Sequence, residues 1–105
     1  MKDDQGFVYF MAEKGNPDSD VKIGFSTSLK DRLFALQTGN SKELEIRYVI
    51  ENVPMSFETY MHEICYRYRG LGEWFKKDVM SFLLERNSPW FKEHIVRFVK
   101  SRYVT

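Results

Sequence analysis

The stretch Val21-Lys22-Ile23-Gly24-Phe25-Ser26-Thr27-Ser28-Leu29-Lys30-Asp31-Arg32-Leu33-Phe34-Ala35-Leu36-Gln37-Thr38-Gly39 decides the architecture, because its apolar period changes midway. Val21, Ile23 and Phe25 alternate with Lys22 and Gly24 as in a strand, whereas Leu29, Leu33 and Leu36 recur at helical spacing. The stretch reads as a strand feeding a helix. Ser28 is placed to cap that helix by accepting from a first-turn N–H, Asp31 three residues on makes a shortened capping box, and Gly39 stops the helix. Arg32 is the misfit, a cation near the N-terminal end of a helix whose dipole favours anions there. An anion such as phosphate, held jointly by Arg32 and the first-turn N–H groups, resolves the conflict.

Working outward, Phe7-Val8-Tyr9-Phe10-Met11-Ala12 is apolar on both faces, which predicts a central strand covered on both sides. Residues 1–6 read as a polar tail. Residues 13–20, dense in turn formers, carry the chain back, so strands 7–12 and 21–25 form an antiparallel hairpin. For Tyr9 and Lys22 to share a face, the numbers of paired residues must sum to an odd value, as with Met11 opposite Lys22 and Tyr9 opposite Gly24. Beyond the first helix and a connection at residues 40–42, Leu44, Ile46, Tyr48 and Ile50 alternate with Glu45, Arg47, Val49 and Glu51, predicting a third strand.

Pro54 ends that strand, and Ser56 is placed to cap a second helix with Phe57, Met61, Ile64, Cys65 and Tyr68 on one stripe, stopped around Gly70 and Gly72. Glu58 and His62 lie one turn apart at the stripe's edge. Asp78 caps a short third helix that Asn87 closes. Ser88-Pro89 opens a fourth, with Phe91, Ile95, Phe98, Val99 and Arg102 along one side. The fold class expected is α/β (α+β), a three-stranded antiparallel sheet flanked by helices with two additional C-terminal helices. Residues 7–77 form the main domain and 78–105 a helical extension packed on it.

A length of 105 residues suits one domain, and nine Phe, six Tyr and two Trp supply its core. One cysteine, Cys65, excludes an internal disulfide, and with only His62 and His94 beside it no Cys/His zinc cage is available. Cys65 and His94 read as structural. No apolar run approaches a membrane span and the charged start is unlike a secretory signal, so a cytoplasmic protein without membrane association is expected. The net charge of +1 hides an asymmetry: residues 1–53 carry seven Lys/Arg against nine Asp/Glu, and residues 54–105 nine against six. The basic second half suits nucleic-acid contact, as it suits an ordinary solvated helix face.

The order hairpin, helix, strand, helix, with Phe7-Val8-Tyr9 on the first strand, Lys22-Ile23-Gly24 on the second and Arg32 on the first helix, resembles the GIY-YIG nuclease superfamily, in particular its phage- and plasmid-associated branch. Leu36-Gln37-Thr38-Gly39-Asn40, Glu58 followed four residues later by His62, and Gly72-Glu73-Trp74-Phe75 look like further motifs of that branch in the same order. The resemblance covers about residues 7–77. It implies that Tyr9 matches the tyrosine of the first motif, Gly24 the glycine of the second, Arg32 the helix arginine and Glu58 the metal-binding glutamate. Lys22 stands where the second motif's namesake tyrosine would be, a departure from the pattern.

On that resemblance the chain is expected to be a metal-dependent DNA endonuclease leaving 5′-phosphate and 3′-hydroxyl ends. Glu58 would hold one Mg²⁺ or Mn²⁺ as a Lewis acid toward the phosphate and the leaving oxygen. Tyr9 would help deprotonate the attacking water, with phenolate character encouraged by Lys22, or Lys22 itself would be the base. Arg32 would bind the non-bridging oxygens and His62 would orient Glu58 or touch the phosphate. Lys22, Lys30, Arg32, Arg67 and Arg69 are the candidate nucleic-acid contacts. Taken singly, each residue has a plainer role: Tyr9 a sheet aromatic, Arg32 a surface ion-pair partner, Glu58 and His62 a helix-surface pair, Trp74 a packing residue. The alternative functions are a catalytically silent nucleic-acid-binding module and a homodimer or protein-partner surface on the C-terminal helices, through Trp90, Phe91, Phe98 and Tyr103.

Overall fold

A computed structural model of the chain describes residues 5–38 and 41–103, except for the side chain of Leu36. The expected stop at Gly39, the Leu36 contribution to the helix stripe, the connection at Asn40 and the first four residues of the tail lie outside the described residues. Gln5 and Gly6, expected in that tail, instead open strand β1 (Gln5–Glu13), where they pair with Pro54 and Val53. β1 is followed by β2 (Val21–Ser26), helix α1 (Leu29–Thr38), β3 (Leu44–Pro54), α2 (Ser56–Ile64), a 3₁₀ turn at Tyr66–Tyr68 and β4 (Trp74–Phe75). Next come a single α-turn α3 (Val79–Ser81) that widens into a π-helical segment (Phe82–Arg86), α4 (Pro89–His94), β5 (Ile95–Arg97) and α5 (Lys100–Tyr103).

The class is mixed α and β, but the sheet has five strands, not three, in the order β4-β2-β1-β3-β5, with every pairing antiparallel. Both additions sit at edges. Trp74–Phe75 pairs with Val21 and Lys22, and Ile95–Arg97 pairs with Tyr48, Val49 and Ile50. Two- and three-residue strands carry no alternation of their own to read, and each is held in place by unpaired backbone groups of a longer neighbour. The expected fourth helix, running to Arg102, accordingly ends at His94: the β-branched pair Ile95-Val96 joins the free edge of β3. Its start is as expected, with Pro89 in the first turn and the Ser88 side chain accepting from Trp90 N–H at 3.1 Å.

Central β1 is covered on both faces. Val8 and Phe10 pack with Val21, Ile23, Ile50, Met61, Phe75, Val79, Leu83, Phe91 and Ile95 beneath α2 and the C-terminal helices. Tyr9 and Met11 pack with Leu29, Leu44, Ile46 and Val49 on the other face, beside α1, Phe98 and Tyr103. Residues 79–103 are thus built into the same core.

β3 departs from its expected alternation because it is irregular twice. Between Met11↔Ile46 and Phe10↔Tyr48 residue Arg47 is extra, and between Phe7↔Glu51 and Gly6↔Val53 residue Asn52 is extra, with φ 58°. The first bulge changes the phase, so Leu44 and Ile46 face the Tyr9 side while Tyr48 and Ile50 face α2. Two helix starts differ as well. Ser56 is the first residue of α2 rather than its cap, which falls at Met55 without a side-chain hydrogen bond, and Asp78 likewise makes none. α2 also ends at Ile64, before the glycines expected to stop it.

Candidate functional site

The β1/β2 hairpin has the odd register: Met11 lies opposite Lys22 and Tyr9 opposite Gly24. Tyr9 and Lys22 therefore share a face, with the Tyr9 ring lying across the Gly24 backbone. A Cβ built on Gly24 would stand 2.4 Å from both Cζ and Oη of Tyr9. Glycine is what lets the phenol pass over β2 toward the edge of the sheet.

That edge is where the remaining groups gather. β4 covers β2 only as far as Lys22. Beyond it, Ile23 presents both backbone groups outward: its N–H donates to the Glu73 carbonyl at 3.1 Å, and its carbonyl lies 2.9 Å from His62 Nε2. A carbonyl can only accept, so the His62 proton on this contact is on Nε2, leaving Nδ1 as the ring's second nitrogen. The imidazole also packs edge-on against Phe75 at 5.1 Å. The Glu58/His62 spacing on α2 thus serves the expected purpose of bringing both to one place, but His62 is anchored to a strand backbone.

Lys22 is committed too. Its ammonium lies 3.1 Å from Glu73 Oε1 and over the Trp74 ring at 5.8 Å, with its side chain only 17% exposed. Glu73 was not singled out as a functional residue by sequence reasoning. The signal available for it was the need of a half-buried Lys22 for a counter-charge, together with the position of Glu73 two residues before the edge strand's end. Trp74 is half-buried and packs beside the Tyr9 cluster, as its plainer reading expected.

Electrostatics define the cluster further. The Tyr9 phenol is pushed up to about 12, chiefly by burial; Arg32 pulls it down, and Glu73 and Glu58 push it up. The expected phenolate character is therefore opposed by the surroundings, first by burial and then by the charges of Glu73 and Glu58, while Lys22 is paired with Glu73. Burial likewise raises the Glu58 carboxyl above its ordinary range and Glu73 adds to the rise, with His62, Arg32 and Lys22 opposing it. Arg32 itself is exposed on the second turn of α1, whose N-terminus Ser28 caps by accepting from Asp31 N–H at 3.3 Å. Among the described residues Arg32 is paired with no carboxylate.

Tyr9, Lys22, Arg32, Glu58 and His62 are thus brought together, with Glu73 added. Lys30, Arg67 and Arg69 are exposed outside the cluster, and Arg69 spends its Nε–H on the Gly72 carbonyl at 2.9 Å. Cys65 is buried, its thiol pushed up to about 12 by burial, and exposed His94 stacks on Trp90 at 4.1 Å. Phe91, Phe98 and Tyr103, offered as a partner surface, are largely consumed by the core.

A divalent cation fits the donor set. Among the described residues no three His, Cys, Asp or Glu side chains cluster as a metal cage. Mg²⁺ keeps several of its waters and is commonly held by one or two carboxylates, and Glu58 is a carboxylate whose charge is disfavoured by a neighbouring Glu73. A cleft of about 600 Å³ lined by Asn16, Arg47, Arg97 and Phe98 lies away from this cluster, and another of about 520 Å³ borders it at Trp74. The interacting titratable groups converge at the strand edge beside Lys22 and Ile23.

Fold and site together define a small mixed α/β domain with a polar cluster assembled along the β2 edge, where side and main chains of α2 and the β4 turn take over from strand pairing. The family model of the T5orf172 domain matches residues 6–98, and the chain belongs to that family. Neither a curated protein nor a solved structure matches the chain at a significant level. No helix among the described residues is long and apolar enough to cross a membrane.

Proposed function

We propose that this domain hydrolyses DNA phosphodiesters with one bound Mg²⁺ or Mn²⁺, as a nuclease resembling the GIY-YIG superfamily. The observation that carries the reading is the electrostatic convergence of Tyr9, which lies across Gly24, with Arg32, Glu58 and His62, where Arg32 has no carboxylate partner among the described residues and Glu58 is held at raised affinity for protons. Glu58 would hold the metal, which when bound supplies Lewis acidity toward the phosphate and the leaving 3′ oxygen.

The chain's own residues divide the rest of the task. Arg32, exposed and free of carboxylate partners among the described residues, binds non-bridging phosphate oxygens as charge grows on them. Tyr9 enters with its proton in place, since its phenol is pushed up to about 12, and its hydroxyl oxygen orients the attacking water. His62, with Nε2–H fixed on the Ile23 carbonyl, offers Nδ1 to accept a proton and keeps α2 at a set distance from β2. Lys22 and Glu73 form a pair whose charges cancel until substrate phosphate competes for the ammonium.

The test is cleavage of end-labelled single- and double-stranded DNA with Mg²⁺ or Mn²⁺ by wild type, Glu58→Gln and Tyr9→Phe. Metal-dependent cutting lost in Glu58→Gln supports the reading. Salt-sensitive binding without cutting by wild type replaces it with a catalytically silent nucleic-acid-binding module, a reading that the Lys22–Glu73 pairing favours because it ties up the cation in the departed tyrosine position.

A further inference from the structure

Leu71 is 88% exposed, the highest exposure among the large apolar side chains of the described residues. It does not hang on a loose loop. Gly70 N–H donates to the Trp74 carbonyl at 2.7 Å, Trp74 N–H donates to the Leu71 carbonyl at 3.0 Å, and Arg69 Nε–H donates to the Gly72 carbonyl at 2.9 Å. Gly72 turns the chain with φ 60°, a conformation that suits glycine. Arg69 further bridges to Phe75, and Lys76 N–H donates to the Tyr68 carbonyl at 2.7 Å, so the turn stands on a paired stem. An apolar side chain held outward on so constrained a backbone gains nothing for the fold.

The same stem carries Glu73 and Trp74 into the candidate site, Glu73 through Lys22 and the Ile23 N–H, Trp74 beneath the Lys22 ammonium. Exposed Arg67, Arg69 and Lys76 flank the turn in sequence, and Glu73 is the only acidic residue between positions 64 and 77. On one side Leu71 borders a concavity that includes Glu13, Asp20 and Lys42, while the exposed charged side chains of the stem itself are cationic, and a cationic stem with an apolar tip matches a polyanion that has apolar surface between its charges. Stacked base pairs behind a phosphate backbone are that surface, and DNA-binding proteins insert Leu, Phe, Ile or Met side chains between base steps to kink a duplex.

We propose that Leu71 is a wedge that enters a base step of duplex DNA beside the candidate site, with Arg67, Arg69 and Lys76 on the flanking phosphates. The proposal rests on the nucleic-acid reading above and deepens it: the substrate is a duplex bent and locally unstacked at the position presented to Tyr9 and Glu58. Burying the leucine offsets part of the unstacking cost, so removal changes the DNA conformation more than the affinity.

The experiment uses the full chain and a duplex with 2-aminopurine at successive positions, in EDTA so that no metal-dependent cutting occurs. Binding is read by anisotropy on an end label and unstacking by 2-aminopurine fluorescence. Wild type is expected to raise the fluorescence at one step; Leu71→Ala should bind within about tenfold of wild type while losing most of that rise, and Leu71→Met should restore it. Because the side chain is exposed, all three should melt alike. Binding by wild type with no fluorescence rise, or with a rise that Leu71→Ala retains, overturns the wedge and leaves the nucleic-acid reading standing. No binding of duplex DNA by wild type overturns the wedge, no binding of a single strand either overturns the nucleic-acid reading with it, and a self-association that Leu71→Ala abolishes would reassign the tip to a protein interface.

Discussion

The Tyr9 ring occupies the space where a side chain on Gly24 would be, 2.4 Å from the Cβ position at its nearest atoms. One residue's lack of a side chain therefore sets where the other's hydroxyl points. Gly24→Ala must tilt a ring that is only 1% exposed and packed against Met11, Leu29 and Val49. Overpacking of this kind costs about 1–3 kcal/mol. The expected result is a lower Tm and a loss of any cleavage larger than that from Tyr9→Phe, because the alanine displaces the whole ring whereas the phenylalanine removes only an oxygen. Thermal melts and cleavage rates of the two variants side by side check this.

Glu58 gives a pH-dependent prediction. Its carboxyl is raised above the usual range by burial and by Glu73, so the folded state favours the protonated form. A raised folded value means stability that is present at acid pH and is lost as pH rises through that value. Glu58→Gln should therefore melt above wild type at neutral pH, and the gap should close below the ordinary glutamate range, where both side chains are neutral. Mg²⁺ or Mn²⁺ should raise the melting temperature of wild type at neutral pH and leave Glu58→Gln unmoved, since a ligand stabilises only the state that binds it. A destabilised Glu58→Gln at pH 7 would contradict this account.

How much of this was legible in the sequence depended on the length of the signal. The 7–12 and 21–25 strands each carry enough residues for their pattern to give the hairpin and the central place of β1, whereas the register, left open by the alternation, is set by the structure at Tyr9 opposite Gly24. The Glu58/His62 spacing placed both on one side of α2. β4 and β5 were not legible, because pairing with a neighbour's edge, not their own composition, makes two or three residues a strand. The bulge at Arg47 reverses the inward face of β3 midway while leaving the sequence alternation intact. Glu73 escaped for a related reason: its role comes from standing beside Lys22, more than fifty positions away, and no local pattern records that distance.

Lys22 and Glu73 can be separated by mutation, with opposite effects. Glu73 pushes both the Tyr9 phenol and the Glu58 carboxyl upward, whereas Lys22 pulls Glu58 down. Glu73→Gln should lower both values, and Lys22→Met should raise Glu58 further by leaving Glu73 without its partner. Site-specific NMR titration of the Glu58 carboxyl carbon reads the direction in each variant. Equal shifts of the same sign would mean that the 3.1 Å pair is not what couples the two residues to Glu58.

The C-terminal turn offers a test away from the site. Tyr103 donates to Glu51 Oε2 at 2.8 Å, meets Phe7 edge-on at 5.6 Å and stacks on Phe98 at 5.3 Å, tying α5 to β1 and β3. Tyr103→Phe keeps the ring contacts and removes a hydrogen bond to a charged acceptor, which should cost about 1.5–3 kcal/mol, toward the low end because the pair is partly exposed. Tyr103→Ala should cost more by removing the ring as well. Denaturant unfolding of the two variants gives the split, and an equal loss in both would assign the whole contribution to the hydroxyl.

The phenol of Tyr9 reports directly on whether a cation enters the cluster. Burial, Glu73 and Glu58 together outweigh Arg32 and hold it at about 12. A raised folded value makes the native state favour the neutral phenol, so stability is lost as pH climbs from about 10 toward 12. Tyr9→Phe should remove that alkaline loss. A divalent cation held by Glu58 would cancel the charge of one carboxylate and add positive charge near the phenol, and both effects favour phenolate. Titration followed through a ¹³C label at tyrosine Cζ, with the Tyr9 signal assigned by its absence in Tyr9→Phe, should show its midpoint moving down when Mg²⁺ is added. The same addition to Glu58→Gln should leave it in place. A midpoint unmoved by metal in wild type would detach Tyr9 from the proposed metal site, even if the chain proved to cut DNA.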